Sequence, residues 1–236
     1  LPGADAAAHR TRELELASLA DLTVACSLPL VDQLRSRGVD AVYLPHAADP
    51  LPARADAPLP DALRGAPRPL LGYVGSLNFR LDVDLLRAAT RCGTLVVIGG
   101  AFGPKPTDAV ADLLASERVV LSGHQPPEVL PQWLAHLDVG LIPYTGSPFN
   151  RKSFPIKLLQ YLAAGLPVVS TPNGATDEHG SLVHVASDPA GYEAAIGRAL
   201  AEDQPALRAQ RRSAATARTW TDVAQALVEL SSADRR

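Results

Sequence analysis

From Leu70 onward the chain alternates short, wholly apolar runs with stretches whose apolar positions recur at helical spacing. The runs at 70–74, 94–98, 118–121, 138–142 and 167–171 predict strands, and the stretches at 82–91, 107–115, 127–135 and 154–164 predict helices. Strands that are apolar throughout, rather than at every second position, have both faces covered. The repetition therefore predicts an α/β fold: a Rossmann-like parallel sheet with helices on both faces. The tail, 189–203 and 206–232, reads as helical, with Trp220 starting its last segment.

Ahead of Leu70 the pattern is less complete. Residues 9–20 predict a helix, 21–27 a short buried strand, 28–37 a helix stopped by Gly38, and 41–44 a strand running into Pro45-His46-Ala47-Ala48-Asp49. This is an α/β unit without a domain around it. Pro50, Pro52, Pro58, Pro60, Pro67 and Pro69 then crowd a stretch with few periodic apolar positions, which is linker composition. The expected organisation is the end of an amino-terminal α/β domain over 1–48, an interdomain linker over 49–68 and the sheet domain over 69–236.

Composition narrows the class. A chain of 236 residues that is 47% hydrophobic has ample material for a packed core. Its net charge of −3 gives no global electrostatic reason to expect a nucleic acid partner. Cys26 and Cys92, far apart in sequence and in apolar surroundings, read as reduced core thiols rather than a disulfide or a metal site. No apolar run approaches the roughly 18 residues of a membrane span, and residues 1–20 lack a signal-peptide core. The cytoplasm is the default compartment, with any membrane contact peripheral. Methionine is absent even at position 1, so Leu1 is read as a cut point inside a longer reading frame.

The candidate chemistry centres on 154–171. Pro155 suits a first helical turn, and Gly165 followed by Pro167 ends the helix. Lys157 then falls in the first turn, where the helix dipole repels a cation unless an anion is present. Gln160 lies one turn on, placed to hydrogen-bond an uncharged group attached to that anion. Diphosphate followed by ribose has this shape. In parallel sheets ligands bind at the carboxyl ends of the strands, so the loops after Val74, Ile98, Leu121, Ile142 and Thr171 should share a face with the start of this helix.

Several loop residues on that face have two readings each. In Gly72-Tyr73-Val74-Gly75-Ser76-Leu77, Gly75 either brings backbone N–H groups to a phosphate or only makes a tight turn. Arg80 adds charge to the same place or is a solvated loop residue, and Gly99-Gly100 is equally ambiguous. His124, in Gly123-His124-Gln125, receives a nucleotide base or packs within its loop. Tyr144, after Asp138-Val139-Gly140-Leu141-Ile142-Pro143, projects toward the binding face or packs. Residues 145–153 read as a polar loop, with Lys152 solvated and Arg151 open to either role.

Taken in order, Ala25-Cys26-Ser27, Leu44-Pro45-His46, Gly72-Tyr73-Val74-Gly75, Val97-Ile98-Gly99, Ser122-Gly123, Asp138 to Tyr144, and Phe154-Pro155-Ile156-Lys157 with Tyr161-Leu162-Ala163-Ala164-Gly165-Leu166-Pro167-Val168-Val169 resemble the carboxyl-terminal, donor-binding domain of GT-B glycosyltransferases. The resemblance covers nearly the whole chain. It implies that Lys157 contacts the donor diphosphate, that Gly75 approaches it by backbone, and that Gln160 addresses the ribose. The candidate set is then Lys157 and Arg80 for chemistry, and Gly75, Ser76, His124, Tyr144, Ile156 and Gln160 for holding the donor, with no metal ligand. Many members carry two glutamates with seven residues between them; the matching positions here are Lys152 and Gln160. A Lys-Leu-Leu-Gln-Tyr version is similar to bacterial polysaccharide glycosyltransferases of the xanthan glucuronosyltransferase type.

The function implied is metal-independent transfer of a sugar from a nucleoside diphosphate to a glycan, lipid-linked or small-molecule acceptor. No cofactor is implied beyond the nucleoside-diphosphate sugar, which is a substrate. The location implied is the cytoplasm, with possible peripheral contact at the inner face of the plasma membrane through the missing domain. The base of an inverting mechanism would come from that amino-terminal domain, so the fragment alone is expected to bind donor without turnover. Two alternatives stand beside this reading: a sugar-nucleotide epimerase on the same scaffold, and a non-catalytic nucleotide-sugar-binding module.

Overall fold

A computed structural model describes residues 5–51, 56–100 and 107–233. The chain start at Leu1 and Pro52 of the Pro-rich stretch lie outside the described residues. The first elements are α1 (Ala6–Leu19), β1 (Thr23–Ala25), α2 (Leu28–Arg35) and β2 (Ala41–Tyr43). β1 and β2 pair in parallel and enclose a small core of Ala25, Val31, Leu34 and Ala41.

The larger unit follows: β3 (Leu70–Val74), α3 (Val83–Cys92), β4 (Thr94–Ile98), α4 (Asp108–Leu114), β5 (Val119–Leu121), α5 (Leu130–His136), β6 (Val139–Ile142), α6 (Pro148–Lys152), α7 (Lys157–Ala163), β7 (Val168–Ser170), α8 (Gly174–Glu178), β8 (Val183–Val185), α9 (Pro189–Ala201), α10 (Pro205–Ala215) and α11 (Trp220–Ala233). Its six strands form one parallel sheet in the order β5-β4-β3-β6-β7-β8, with Leu71 of β3 opposite Leu95 on one side and Val139 on the other. All residues of β4, β6 and β7 are buried, which is why these runs carry no polar alternation. On one face α3 packs against α4 and α9; right-handed crossovers put α7, which packs on α10, on the other.

The winding matters for the site. The chain runs outward from β3 through β4 to β5, then returns to β3's other side and runs outward again through β6, β7 and β8. The loops leaving β3 and β6 therefore diverge and leave a crevice at their carboxyl ends.

Local sequence explains most boundaries. Asp82 caps α3 by accepting from the backbone N–H groups of Asp84 and Leu85. The 206–232 stretch breaks in two, because Thr219 and Asp222 form a reciprocal cap that starts α11 afresh. α7 starts at Lys157 instead of 154, with Phe154 and Pro155 buried as a lead-in. It ends at Gly165, whose φ of +79° few other residues adopt. There Arg212 and Arg211 of α10 donate to the carbonyls of Ala164 and Gly165, each at 3.4 Å.

Three elements carry no periodic signal. Helix α6 replaces the expected loop, started by Ser147, whose hydroxyl accepts from Asn150 N–H, and by Pro148. Helix α8 starts from a capping box of Asn173 and Thr176, and β8 is only Val183-His184-Val185. Five or three residues are too few for a period to show.

The small unit docks on the large one near α6 and α8. Ser27 Oγ, fully buried, donates to the Lys152 carbonyl at 2.5 Å; Lys152 Nζ donates to Gln33 of α2, and the Tyr43 hydroxyl to Glu178. The His46 ring stands edge-on to Phe154 at 5.5 Å. From the Pro-rich stretch Leu63 joins the large core, and the His136 ring nitrogen bonds the Ala57 carbonyl at 3.0 Å. Cys26 and Cys92 are both free thiols, half-buried. Among the described residues no helix is long and apolar enough to cross a membrane.

Candidate functional site

The crevice between β3 and β6 is built first from backbone. Gly75, at φ +131°, donates its N–H to the Ile98 carbonyl at 2.9 Å. Gly99, at φ +145°, lies so near that a Cβ on it would come within 2.3 Å of the Gly75 oxygen. On the other side Tyr144 bridges to Leu81, and Thr145 N–H donates to the Arg80 carbonyl at 2.8 Å. The loops after β3, β4 and β6 are thus stitched together, and Lys157 enters between them.

Lys157 is buried although its side chain ends in an amine. Its Nζ lies 4.0 Å from the centre of the Tyr73 ring and 5.2 Å from that of Tyr144. A Cβ on Gly75 would stand 3.0 Å from Nζ, so the glycine is what lets backbone and amine come so close. Among the described residues Nζ has neither a carboxylate nor a hydrogen-bond acceptor. Burial, and then the nearby Arg80 guanidinium, push its pKa down to about 7. Burial raises the Tyr73 and Tyr144 hydroxyls, so both rings stay neutral.

Arg80 is held in the same manner, with no carboxylate partner among the described residues. Its guanidinium carbon lies 4.6 Å from the Tyr144 ring centre and 4.8 Å from that of Phe149. Nε donates to Asn150 Oδ1 at 2.9 Å and Nη2 to Ser153 Oγ at 3.3 Å. Among the described residues the two cations have only neutral partners, and desolvation makes that arrangement costly until an anion joins it. The arrangement can bind a polyanion and stabilise negative charge that grows on it.

The other expected residues fall at graded distances. Ser76 is half-buried at the turn, its carbonyl accepting from the Tyr73 hydroxyl at 3.0 Å. Ile156 is exposed at the start of α7, and Gln160 follows one turn along, half-buried and without a side-chain hydrogen bond among the described residues. His124 is exposed after β5, the edge strand two places from β3, so it stands on the order of 10 Å from the β3 end. The loop after Ile98 is described as far as Gly100, and its remainder at 101–106 lies outside the described residues. Arg151 is exposed, with Nε 3.4 Å from the Gly146 carbonyl. Lys152 turns to Gln33 and away from Lys157's neighbours.

Tyr73, Phe149, Asn150 and Ser153 join the site unannounced by the sequence. For Tyr73 a signal existed: it lies two residues before Gly75, hence on the same side of the strand. The other three belong to α6 or its end, in the stretch that reads as a polar loop.

Residues 68–202 match the family described as Glycosyl transferases group 1. The chain belongs to this family. Among curated relatives, TuaH of Bacillus subtilis (strain 168), named for glycosyl transfer in teichuronic acid biosynthesis, is 33% identical over 125 residues, which are 50% of this chain and 30% of TuaH. Among solved structures, HepE of Anabaena in complex with UDP and glucose superposes with a TM-score of 0.69 at 20% identity, over 90% of this chain and 63% of HepE. A glycosyltransferase of Rickettsia africae gives 0.71 at 11% identity, over 92% and 64%. The pneumococcal O-GlcNAc transferase GtfA, in complex with UDP and GlcNAc, gives 0.68 at 16%, over 93% and 46%. The chain thus spans less than two thirds of the length of each. These likenesses establish the GT-B fold for a chain that family membership already places among glycosyl transferases group 1.

Proposed function

We propose that the chain is the donor-binding part of a glycosyltransferase that moves a sugar from a nucleoside diphosphate to a glycan, lipid-linked or small-molecule acceptor. The observation that carries this reading is the pair Lys157 and Arg80, two cations with no carboxylate partner among the described residues, at the point where the sheet reverses its winding. In this reading their charge stabilises the departing diphosphate, so the transfer needs no metal. Gly75 and Ser76 bring backbone to the phosphates, Gln160 bonds the ribose, Tyr144 and Ile156 line the approach, and the His124 loop receives the base. The titratable neighbours of Lys157 are Arg80, Tyr73 and Tyr144, none of which suits a general base. The base and the acceptor site are therefore assigned to the rest of a longer protein, and the chain alone to donor binding without turnover.

Calorimetric titration with UDP, GDP, ADP and dTDP, with no divalent cation added, tests the reading. Binding of one of the four is expected, and no binding of any at millimolar concentration would overturn it. The pH dependence follows from Lys157. Its native pKa is lowered to about 7, so above pH 7 the free site has lost the proton that an anion needs. Affinity should fall roughly threefold or more between pH 7 and 8.5, with proton uptake visible as heats that change with the buffer. The free protein shows the opposite sign. Through the window above 7 the unfolded chain holds this proton more tightly than the native one, so the group's contribution to native stability rises with pH.

A further inference from the structure

Asn150 is fully buried on the short helix α6, where a neutral side chain of that polarity needs every bond it can make. Of its two Nδ2 hydrogens, one is donated to the Arg80 carbonyl at 3.0 Å and the other is shared between the Thr145 carbonyl at 3.0 Å and Thr145 Oγ1 at 2.9 Å. Its Oδ1 accepts from Arg80 Nε at 2.9 Å. One amide therefore grips both the main chain and the guanidinium of Arg80 and joins the β3 and β6 loops. Ser153 Oγ, which itself donates to the Asn150 carbonyl at 2.9 Å, takes Arg80 Nη2. The rings of Tyr144 and Phe149 complete the holder. A partly buried arginine is ordinarily fixed by a carboxylate, which orients it and cancels its charge together. Here orientation comes from an amide, a hydroxyl and two rings, and the charge is left over.

We propose that Asn150 is a positioning residue: it fixes the Arg80 guanidinium beside Lys157 without neutralising it, so that the full charge of Arg80 is available to the donor diphosphate. The inference rests on the reading of this crevice as a diphosphate site. It assigns no contact with the donor to Asn150, whose polar atoms are all engaged within the protein. The anchoring of α6 through Ser27 and Gln33 serves the same end, because it holds the helix that carries the amide.

A double-mutant cycle on the 236-residue chain tests it, read by calorimetry with whichever of UDP, GDP, ADP and dTDP binds most tightly. Asn150→Ala is expected to weaken binding about fivefold, as is Arg80→Gln. In the Arg80→Gln background Asn150→Ala should have no further effect, since the amide acts through the guanidinium. A merely structural role would lower affinity equally in both backgrounds, and that result overturns the inference, as does wild-type affinity in Asn150→Ala. Ser153→Asp gives up the hydroxyl's bond to the Asn150 carbonyl but keeps every contact of the Asn150 side chain, and it places a carboxylate against Nη2. It should bind as weakly as Arg80→Gln at unchanged or raised melting temperature, and it decides the matter if Asn150→Ala does not fold. Ser153→Asp binding like the wild type overturns the inference while the diphosphate site stands. Failure of the unsubstituted chain to bind any of the four removes the site and the inference together.

Discussion

Lys157→Ala weakens nucleoside diphosphate binding tenfold or more at pH 7, in a chain that folds as stably as before. The first half of this expected result follows from geometry. Nζ lies beside the Gly75 backbone, at a point where water is largely excluded, so an anion there loses a charge-assisted contact of about 1.5–3 kcal/mol. That corresponds to roughly ten- to hundredfold in affinity. The second half follows from the absence of a partner: removing a buried cation that pairs with no carboxylate leaves no orphaned charge behind, unlike the breaking of a buried ion pair. Lys157→Met separates the two effects further, because it keeps the stem against the Tyr73 ring. Calorimetry with both variants checks the first half and thermal melting the second. Unchanged affinity in either variant would sink the assignment of Lys157.

Tyr161→Ala should be the most damaging single change to the fold. Tyr161 is a fully buried ring on the inner face of α7, and it rests where β6 has no side chain: a Cβ on Gly140 would come within 2.4 Å of its Cγ. Its hydroxyl reaches across the sheet, accepting from Val74 N–H at 2.8 Å and lying 3.3 Å from the Leu141 carbonyl, to which it donates. Truncation opens a ring-sized cavity, about 3–5 kcal/mol, and leaves the last N–H of β3 unsatisfied beside Gly75. Urea unfolding at constant slope should show the loss. A change below about 1 kcal/mol would mean that the ring does not carry α7's attachment to the sheet.

Much of this was legible in the sequence, for physical reasons that differ by element. β3 and β4 fall on the expected residues, because a strand buried on both faces announces itself by continuous apolarity. The position of Lys157 was legible from Pro155 and Gly165, since those residues punctuate a helix wherever it packs. What surrounds the lysine was not. Tyr73 comes from a strand, Arg80 from a loop and Asn150 from a five-residue helix, and only the return of the chain to β3 brings them together. Lys152 shows the same limit. It stands where the family resemblance leads one to expect a glutamate, and its partner Gln33 lies far off in the sequence. The helix and the residue type were local matters; the partner was not.

The order of the strands also says when the crevice comes into being. Leu71 of β3 pairs with Val139 of β6 only after α3, β4, α4, β5 and α5 have been traversed, and Lys157 arrives later still on α7. No short piece of the chain contains the binding surface, so its assembly waits on distant parallel pairings, whose loop-closure cost makes them slow. A nucleotide then has nothing to grip in the half-built chain. It acts as a brake on the opening of the finished sheet and gives no help in closing it.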